Sequence, residues 1–134
     1  MIKFNEEKFP VVYIYIDGVN TIQDLQTYLN RFDNWLSRQE YFGIILQQNF
    51  PQQAQEKPSK EVKKLEIEWS KQNKHRISKY CLGMAIVIDS KEIFEKWQPI
   101  ASQSILNMFG CPGQVFAAIP QAEEWMAKQM QDAS

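Results

Sequence analysis

The sequence has few of the residues that build disulfides and metal sites. Its 134 residues include two cysteines, Cys81 and Cys111, and one histidine, His75. No C-x-x-C pair occurs, so a zinc site would need these three side chains to converge from separate segments. Two thiols in a chain without an export signal are expected to stay reduced. We therefore predict no disulfide and no metal, with Cys81 buried in a strand and His75 on the surface of a helix.

Glycine is also scarce, and its five residues are scattered along the chain. The sequence contains no G-x-x-x-x-G-K-[ST] or G-x-G-x-x-G phosphate loop and no G-x-S-x-G nucleophile elbow. A Ser-His-Asp triad would require Ser90, His75 and an aspartate such as Asp17 to meet at one place. These absences predict a protein that is not an enzyme and takes no cofactor. An enzyme that uses the carboxylates Asp17 and Asp89 is the minor alternative.

Long hydrophobic runs are missing as well. The apolar run over residues 84–88 is far shorter than the roughly 20 residues that span a bilayer, and no other run approaches that length. The first residues, MIKFNEEKF, carry two glutamates and lack the apolar core of a secretory signal. We therefore expect a cytoplasmic protein without integral membrane association.

The chain as a whole has almost no net charge, but its parts do. The formal net charge is −1, whereas residues 57–79 carry eight Lys or Arg against three Glu. A basic helix of this kind can dock an acidic protein partner or an anionic head group, and a solvated helix face is the simpler alternative. Few aromatic residues interrupt the stretch, which argues against a nucleic-acid partner. The candidate partner-binding residues are Lys63, Lys64, Lys71, Lys74, His75 and Arg76.

What the sequence does contain is a regular alternation of strand and helix patterns. Runs rich in β-branched and aromatic residues predict strands, and apolar residues at steps of three and four predict helices between them. The predicted strands cover residues 2–4 at an edge, 9–18, 41–46, 82–88 and 114–119. The alternation predicts one α/β domain over residues 1–134, with a mixed, mostly parallel sheet of four to five strands and about four helices.

Polar residues and a proline mark where the predicted helices begin and break. Thr21 and Asp24 match a capping box, and Ser59 and Ser90 stand where the next two helices need caps. Pro99 lies inside the third helical stripe, so we expect a break just before it. In the second helix, over residues 59–80, the inner positions turn polar after Trp69 at Gln72, Asn73 and Arg76. This polar gap indicates either an overhang beyond the sheet or a polar site.

Carboxylates and amides cluster just after three of the predicted strands. Ligands of open α/β sheets bind beyond the carboxyl ends of the strands, so these side chains are candidates for the rim of a ligand pocket. Residues 47–59, rich in Gln and Pro, predict a loop there. Turn and cap chemistry would place the same residue types at these positions and is the alternative. The candidate rim residues are Asp17, Gln47, Gln48, Asn49, Asp89 and Ser90.

Three pieces of the sequence, FPVVYIYIDG, CLGMAIVIDS and CPGQVFAAIPQAEEWM, resemble the SpoIIAA-like branch of the STAS superfamily. In that branch the alternation closes with a Pro-x-x-x-Phe strand and an Ala-x-x-Trp helix, which Pro112, Phe116, Ala122 and Trp125 match. The resemblance spans most of the chain, and its motifs are those of a fold. It implies a mixed sheet of four or five strands and a non-enzymatic role as a protein-binding regulator or small-ligand sensor.

The best-known members of that superfamily are anti-sigma factor antagonists that a phosphorylated serine switches. That serine lies in an Asp-Ser context, after the strand that corresponds to residues 41–46. This chain has Gln47, Gln48 and Asn49 at that place, without serine, and its Asp89-Ser90 follows the next strand. The phosphorylation switch is therefore not carried over, and Ser90 is interpreted as a helix cap.

Two functions remain for such a chain. The first is a regulatory or protein-binding module without catalytic activity, which docks through the basic helix. The alternative is a small-ligand or lipid-binding domain with an apolar pocket under the third helix, where Pro99 breaks it. Tyr28, Trp35 and Trp97 lie beside the apolar stripes; they belong to the core or to a patch that forms a homodimer.

Overall fold

The structure, a computed structural model, describes residues 1–18, 21–49 and 59–133. Within these ranges it has five strands and five helices. The strands are β1 (Ile2–Asn5), β2 (Val11–Asp17), β3 (Phe42–Asn49), β4 (Cys81–Ile88) and β5 (Gly113–Phe116). The helices are α1 (Ile22–Ser37), α2 (Lys60–Tyr80), α3 (Lys91–Trp97), α4 (Ala101–Phe109) and α5 (Ile119–Ala133).

The strands form one sheet in which their order in space is their order in the sequence, β1-β2-β3-β4-β5. β1 is antiparallel to β2, and β2 to β5 are parallel. The predicted α/β class, with a mixed and mostly parallel sheet, is confirmed. The described ranges hold five helices instead of about four, because the third helical stripe is divided into α3 and α4.

The helices are distributed unequally over the two faces of the sheet. Each connection between parallel strands leads to the adjacent strand, and always in the same direction across the sheet. Right-handed crossover connections of this kind place their helices on one face of the sheet. α2 packs against both α1 and α4 on that face, and α5 lies on the other face over β3, β4 and β5. The core is therefore divided into a larger cluster on the crossover side and a smaller one under α5.

Aromatic side chains of α1 occupy the centre of the larger cluster. The rings of Trp35 and Phe32 each lie with their centroid 6.1 Å from that of Phe42 on β3. Tyr28 and Trp35 are buried, so they belong to the core, whereas Trp97 at the end of α3 is 48% exposed.

The predicted start and break signals of the helices are confirmed. Thr21 and Asp24 form a complete capping box, in which each side chain accepts the backbone N–H of the other residue. Ser59 and Ser90 accept backbone N–H groups in the first turns of α2 and α3. Pro99 lies in the gap between α3 and α4.

The predicted end of the third strand in the sequence is wrong. β3 continues through residues 47–49, which were expected to begin a loop. Its flanking strands impose this extension, since β2 pairs with it as far as Asp17 and Asn49, and β4 pairs with it from the other side. Ladder bonds on both sides outweigh the low β-propensity of Gln and Asn. The rest of that predicted loop, residues 50–58, lies outside the described residues.

The last predicted strand, over residues 114–119, is also too long. β5 ends at Phe116, and Ile119 belongs to α5, where it packs against the smaller cluster. Pro120 is the second residue of this helix. A proline fits the first helical turn because its missing N–H has no helical partner there.

The polar gap of α2 is a contact with α1. Arg76 donates to the Asp33 carboxylate at 2.7 Å, to Asn73 Oδ1 at 2.9 Å and to Ser37 Oγ at 3.2 Å. Asn73 in turn donates to the Trp69 carbonyl at 2.9 Å. Arg76 therefore ties α2 to α1 and Asn73 supports it within α2, whereas Gln72, the third polar position, is exposed.

Candidate functional site

A cavity of about 400 Å³ lies on the crossover side of the sheet. The carboxyl-terminal parts of β2, β3 and β4 line it with Ile16, Leu46 and Ile88. The helices line it from the opposite side with Leu29, Glu66, Trp97, Ala101, Ile105 and Phe109. Its volume falls within the range of small-molecule sites in proteins.

Because of the break at Pro99, the helices α3 and α4 do not fill this space. α3 has no buried residue, and α4 packs mainly against β5 and α2. The carboxyl ends of β2, β3 and β4 therefore face no continuous helix from this segment. Trp97 is about half exposed and also lines the cavity, which places it where the cavity meets the surface. The cavity thus lies beside α3 and α4.

Three side chains bring polar groups into this apolar space: Glu66, Tyr28 and Gln48. Burial raises the pKa of the Glu66 carboxyl above its ordinary value. Burial also raises the pKa of Tyr28 well above its ordinary value, and the negative charge of Glu66 adds to that rise. Among the described residues, no Lys, Arg or His lines the cavity, and none forms a hydrogen bond or ion pair with the Glu66 carboxyl.

Sequence reasoning missed Glu66, although a usable signal existed. Val62, Ser70 and Ile77 are the buried residues of α2. Glu66 lies four residues after Val62 and four before Ser70, so it stands on the same side of the helix as both. A lone acidic residue between two buried positions at helical spacing is a candidate for a site within the domain.

The candidate rim residues meet at one edge of the sheet but are divided between its two faces. Asn49 Nδ2 donates to Asp17 Oδ1 at 3.0 Å, so these two side chains are partners. Gln48 alternates to the opposite face, lines the cavity and donates to the Gly18 carbonyl at 3.0 Å. Gln47 lines a separate groove of about 260 Å³ beside β1, β2 and α5.

Asp89 and Ser90 follow β4 at the same edge, and Ser90 Oγ accepts the Ile93 N–H at 3.4 Å. His75 lies near the end of α2, which leads into the start of β4, and it lines a surface groove of about 330 Å³ with Leu36 and its neighbours. The eight residues of β4 separate the two ends. The structure therefore does not bring His75 to Ser90.

The candidate partner-binding residues of α2 fall into two groups. Lys74 Nζ donates to the Asn107 carbonyl of α4 at 2.8 Å, and Arg76 pairs with Asp33 of α1. These two residues tie α2 to its neighbouring helices. The other four are exposed on the outer side of α2: Lys63, Lys64, Lys71 and His75.

The two cysteines are neighbours inside the domain. Cys81, at the start of β4, and Cys111 are buried free thiols. A hydrogen bond with Cys111, together with burial, raises the pKa of Cys81 well above its ordinary value. His75 is exposed on α2, away from them. In the part of the chain that the structure describes, no three His, Cys, Asp or Glu side chains are grouped so that they could hold a metal ion.

None of the helices in residues 1–18, 21–49 and 59–133 combines the length and the apolar character that a membrane crossing requires.

Comparison of the chain with family models, with curated proteins and with solved structures finds no match. The resemblance to the SpoIIAA-like branch stays a prediction, and the function rests on the site itself.

Proposed function

We propose that the protein is a non-enzymatic domain that binds a small, mostly apolar molecule in the cavity. The observation that carries this proposal is a space of about 400 Å³ in the larger core cluster. Protein interiors are otherwise close-packed, and side chains around an empty space lose dispersion contacts on that side. A ligand with an apolar body restores those contacts.

The chemistry of the walls supports the same ligand class. Most lining side chains are aliphatic or aromatic, such as Met84 and Val115 from the sheet and Phe109 from α4. Burial of apolar ligand surface against them contributes about 25 cal/mol per Å². The few polar groups, on Glu66, Tyr28 and Gln48, are of the number and kind that orient a ligand in such a site.

A cavity-filling variant tests this proposal. Ala101 is buried and lines the cavity at the start of α4, so Ala101→Leu places an isobutyl group in the ligand's space. Native mass spectrometry of freshly purified wild-type protein should show a co-purified small molecule, and added 1-octanol should raise the Tm of stripped protein. The variant should show neither effect.

The matched control is Ala127→Leu, the same change at an exposed position of α5 on the other face of the sheet. It should keep both the co-purified molecule and the thermal shift. A wild-type protein that has the mass of the chain alone, and whose Tm responds to no alcohol or fatty amide of any length tested, would contradict the proposal.

A second function, docking of an acidic protein partner, is favoured by the exposed lysines of α2. This is the regulatory role that the family resemblance implies. Lys63, Lys64 and Lys71 are exposed, and the contacts of Lys74 and Arg76 within the domain make those two unsuitable for charge reversal. The informative variant is therefore K63E/K64E/K71E.

The control reverses three lysines outside α2, in K3E/K91E/K128E, so that the net charge changes equally. Partners captured by wild-type protein and by the control should be lost with K63E/K64E/K71E. Equal capture by all three proteins would show that the basic helix is not a docking surface.

A further inference from the structure

The ionisable side chains that line the cavity are all acidic among the described residues. Glu66 and Tyr28 are its two ionisable lining residues among those described, and both are acids. No basic side chain among the described residues lines the same space, and none pairs with the Glu66 carboxyl. Glu66 is half-buried, and a partly desolvated carboxylate without a counter-charge among the described residues is unfavourable, so its protonated form is favoured more than in an exposed glutamate.

The described elements packed around Glu66 bring no basic side chain to the cavity lining. α1 presents Tyr28, β3 presents the neutral Gln48, and α3 and α4 present Trp97 and apolar side chains. On α2 itself, Lys63 lies one turn earlier but is exposed. Among the described residues no basic side chain is placed to offset an ionised Glu66, so a cationic group on a ligand would be a suitable counter-charge.

We propose that the ligand is an organic cation, a molecule with an apolar body and one protonated amine whose ammonium group pairs with the Glu66 carboxylate. This inference rests on the proposed apolar-ligand function and names its ligand class. The rings of Tyr28, Trp97 and Phe109 line the same cavity, and aromatic faces add a cation–π attraction for an ammonium group. A carboxylate or phosphate head group would instead bring a second negative charge beside Glu66, where no basic residue in the described part of the chain lines the cavity.

Pairing with a cation also couples binding to pH. The ammonium group favours the ionised form of Glu66, so ligand binding releases a proton wherever the free carboxyl is still protonated. Burial raises the pKa of that carboxyl in the free protein. Affinity for an amine therefore rises with pH until Glu66 is ionised in the free protein, and affinity for an uncharged ligand does not.

Isothermal titration calorimetry on protein freed of co-purified ligand tests this inference with three probes that share an eight-carbon chain: n-octylamine, 1-octanol and octanoic acid. Wild-type protein should bind the amine most tightly and the acid most weakly at pH 7. Glu66→Gln should weaken amine binding by about tenfold or more, because a hydrogen bond between charged groups is lost. It should leave 1-octanol binding nearly unchanged.

The control variant is Glu68→Gln, which removes an exposed carboxylate two residues away on the same helix. It should leave the affinity for all three probes unchanged. Equal affinity of wild-type protein for amine, alcohol and acid would overturn the assignment of a cation while leaving the apolar site intact. Loss of both amine and alcohol binding in Glu66→Gln would overturn the counter-ion role. No binding of any probe to wild-type protein would overturn the site and this inference together.

Discussion

Two serine hydroxyls of the domain differ in whether they form a hydrogen bond. Ser90 Oγ accepts the N–H of Ile93 and caps α3, whereas the Ser70 hydroxyl is fully buried and has no partner among the described residues. The same change, Ser to Ala, should therefore have opposite effects on stability at the two positions.

Ser90→Ala removes a helix cap. We expect the free energy of unfolding to fall by about 1 kcal/mol, the usual contribution of a side-chain cap. Urea titration followed by circular dichroism measures it, and ligand binding should be unaffected. Loss of function at unchanged stability would instead make Ser90 a functional residue.

Ser70→Ala removes a buried hydroxyl that finds no acceptor or donor. A buried polar group without a partner costs about 1–3 kcal/mol, so the variant should be more stable, by up to about 1 kcal/mol once the lost packing of the oxygen is included. The same urea titration measures the gain. A loss of stability would reveal that the hydroxyl has a partner.

Glu66→Gln should stabilise the empty protein in a pH-dependent way. A carboxyl whose pKa is raised in the folded state favours folding below its unfolded pKa and loses that contribution as pH rises through the folded pKa. The variant lacks this penalty. It should match wild type at about pH 4 and be more stable at pH 7, in urea titrations at both pH values. Equal stability at pH 7 would mean that the carboxyl is not desolvated.

Among the elements, the contact between β5 and α4 is the tightest constraint near the cavity. A Cβ atom on Gly113 would lie 2.3 Å from Ile105 Cγ2 and 2.6 Å from Ile105 Cβ. Because the clash includes Cβ, no rotation of the Ile105 side chain relieves it, and α4 must move.

Gly113→Ala should therefore destabilise the protein by about 1–3 kcal/mol, as overpacking of a core does. Ile105→Ala removes the contacts with Cγ2 and Cδ1 but keeps Cβ, so it relieves part of the clash, and the double variant should lose less stability than the sum of the single variants. Thermal unfolding of the four proteins gives this coupling. Additive losses would mean that the Cγ2 and Cδ1 atoms of Ile105 do not contribute to the clash.

Several elements could be predicted from the sequence because their determinants are local. The capping box at Thr21, the break at Pro99 and the strand runs depend on neighbouring residues, and the structure confirms them. The extension of β3 through residue 49 could not be predicted, since it depends on pairing with β2 and β4.

The residues of the candidate site could also be predicted only in part. Alternation along β3 sends Gln48 into the cavity and Gln47 to the other face, which a list of polar residues at a strand end does not distinguish. Glu66 was detectable from its helical spacing. The role of Arg76 was not, because its partner Asp33 lies on another helix.

For the whole molecule, three buried or hydrogen-bonded acids predict sensitivity to alkali. Burial, and then the hydrogen bond that the Tyr13 hydroxyl donates to Glu123, raises the pKa of Tyr13 to about 12. The pKa values of Tyr28 and Cys81 are raised well above their ordinary values, that of Tyr28 chiefly by burial and that of Cys81 by its hydrogen bond with Cys111 and by burial.

Above about pH 10 the unfolded chain loses these protons while the folded chain keeps them. The folded state then binds more protons, so the free energy of unfolding should fall as pH rises. Urea titrations between pH 8 and about pH 11 should show this decline, and Tyr13→Phe should make it less steep. A flat profile would show that these groups titrate normally in the folded protein.

The order of the strands also has a consequence for how the chain reaches its fold. Val11 on β2 pairs with Gly43 on β3, and Gly43 pairs with Gly83 on β4, so every strand joins the one that precedes it in the sequence. Among the five described strands, none has a later strand inserted between itself and its predecessor. During synthesis, each strand that leaves the ribosome already has its neighbour in place, and the sheet can grow from the amino terminus toward the carboxyl terminus. α5 follows β5 in the sequence and covers the other face of these five strands.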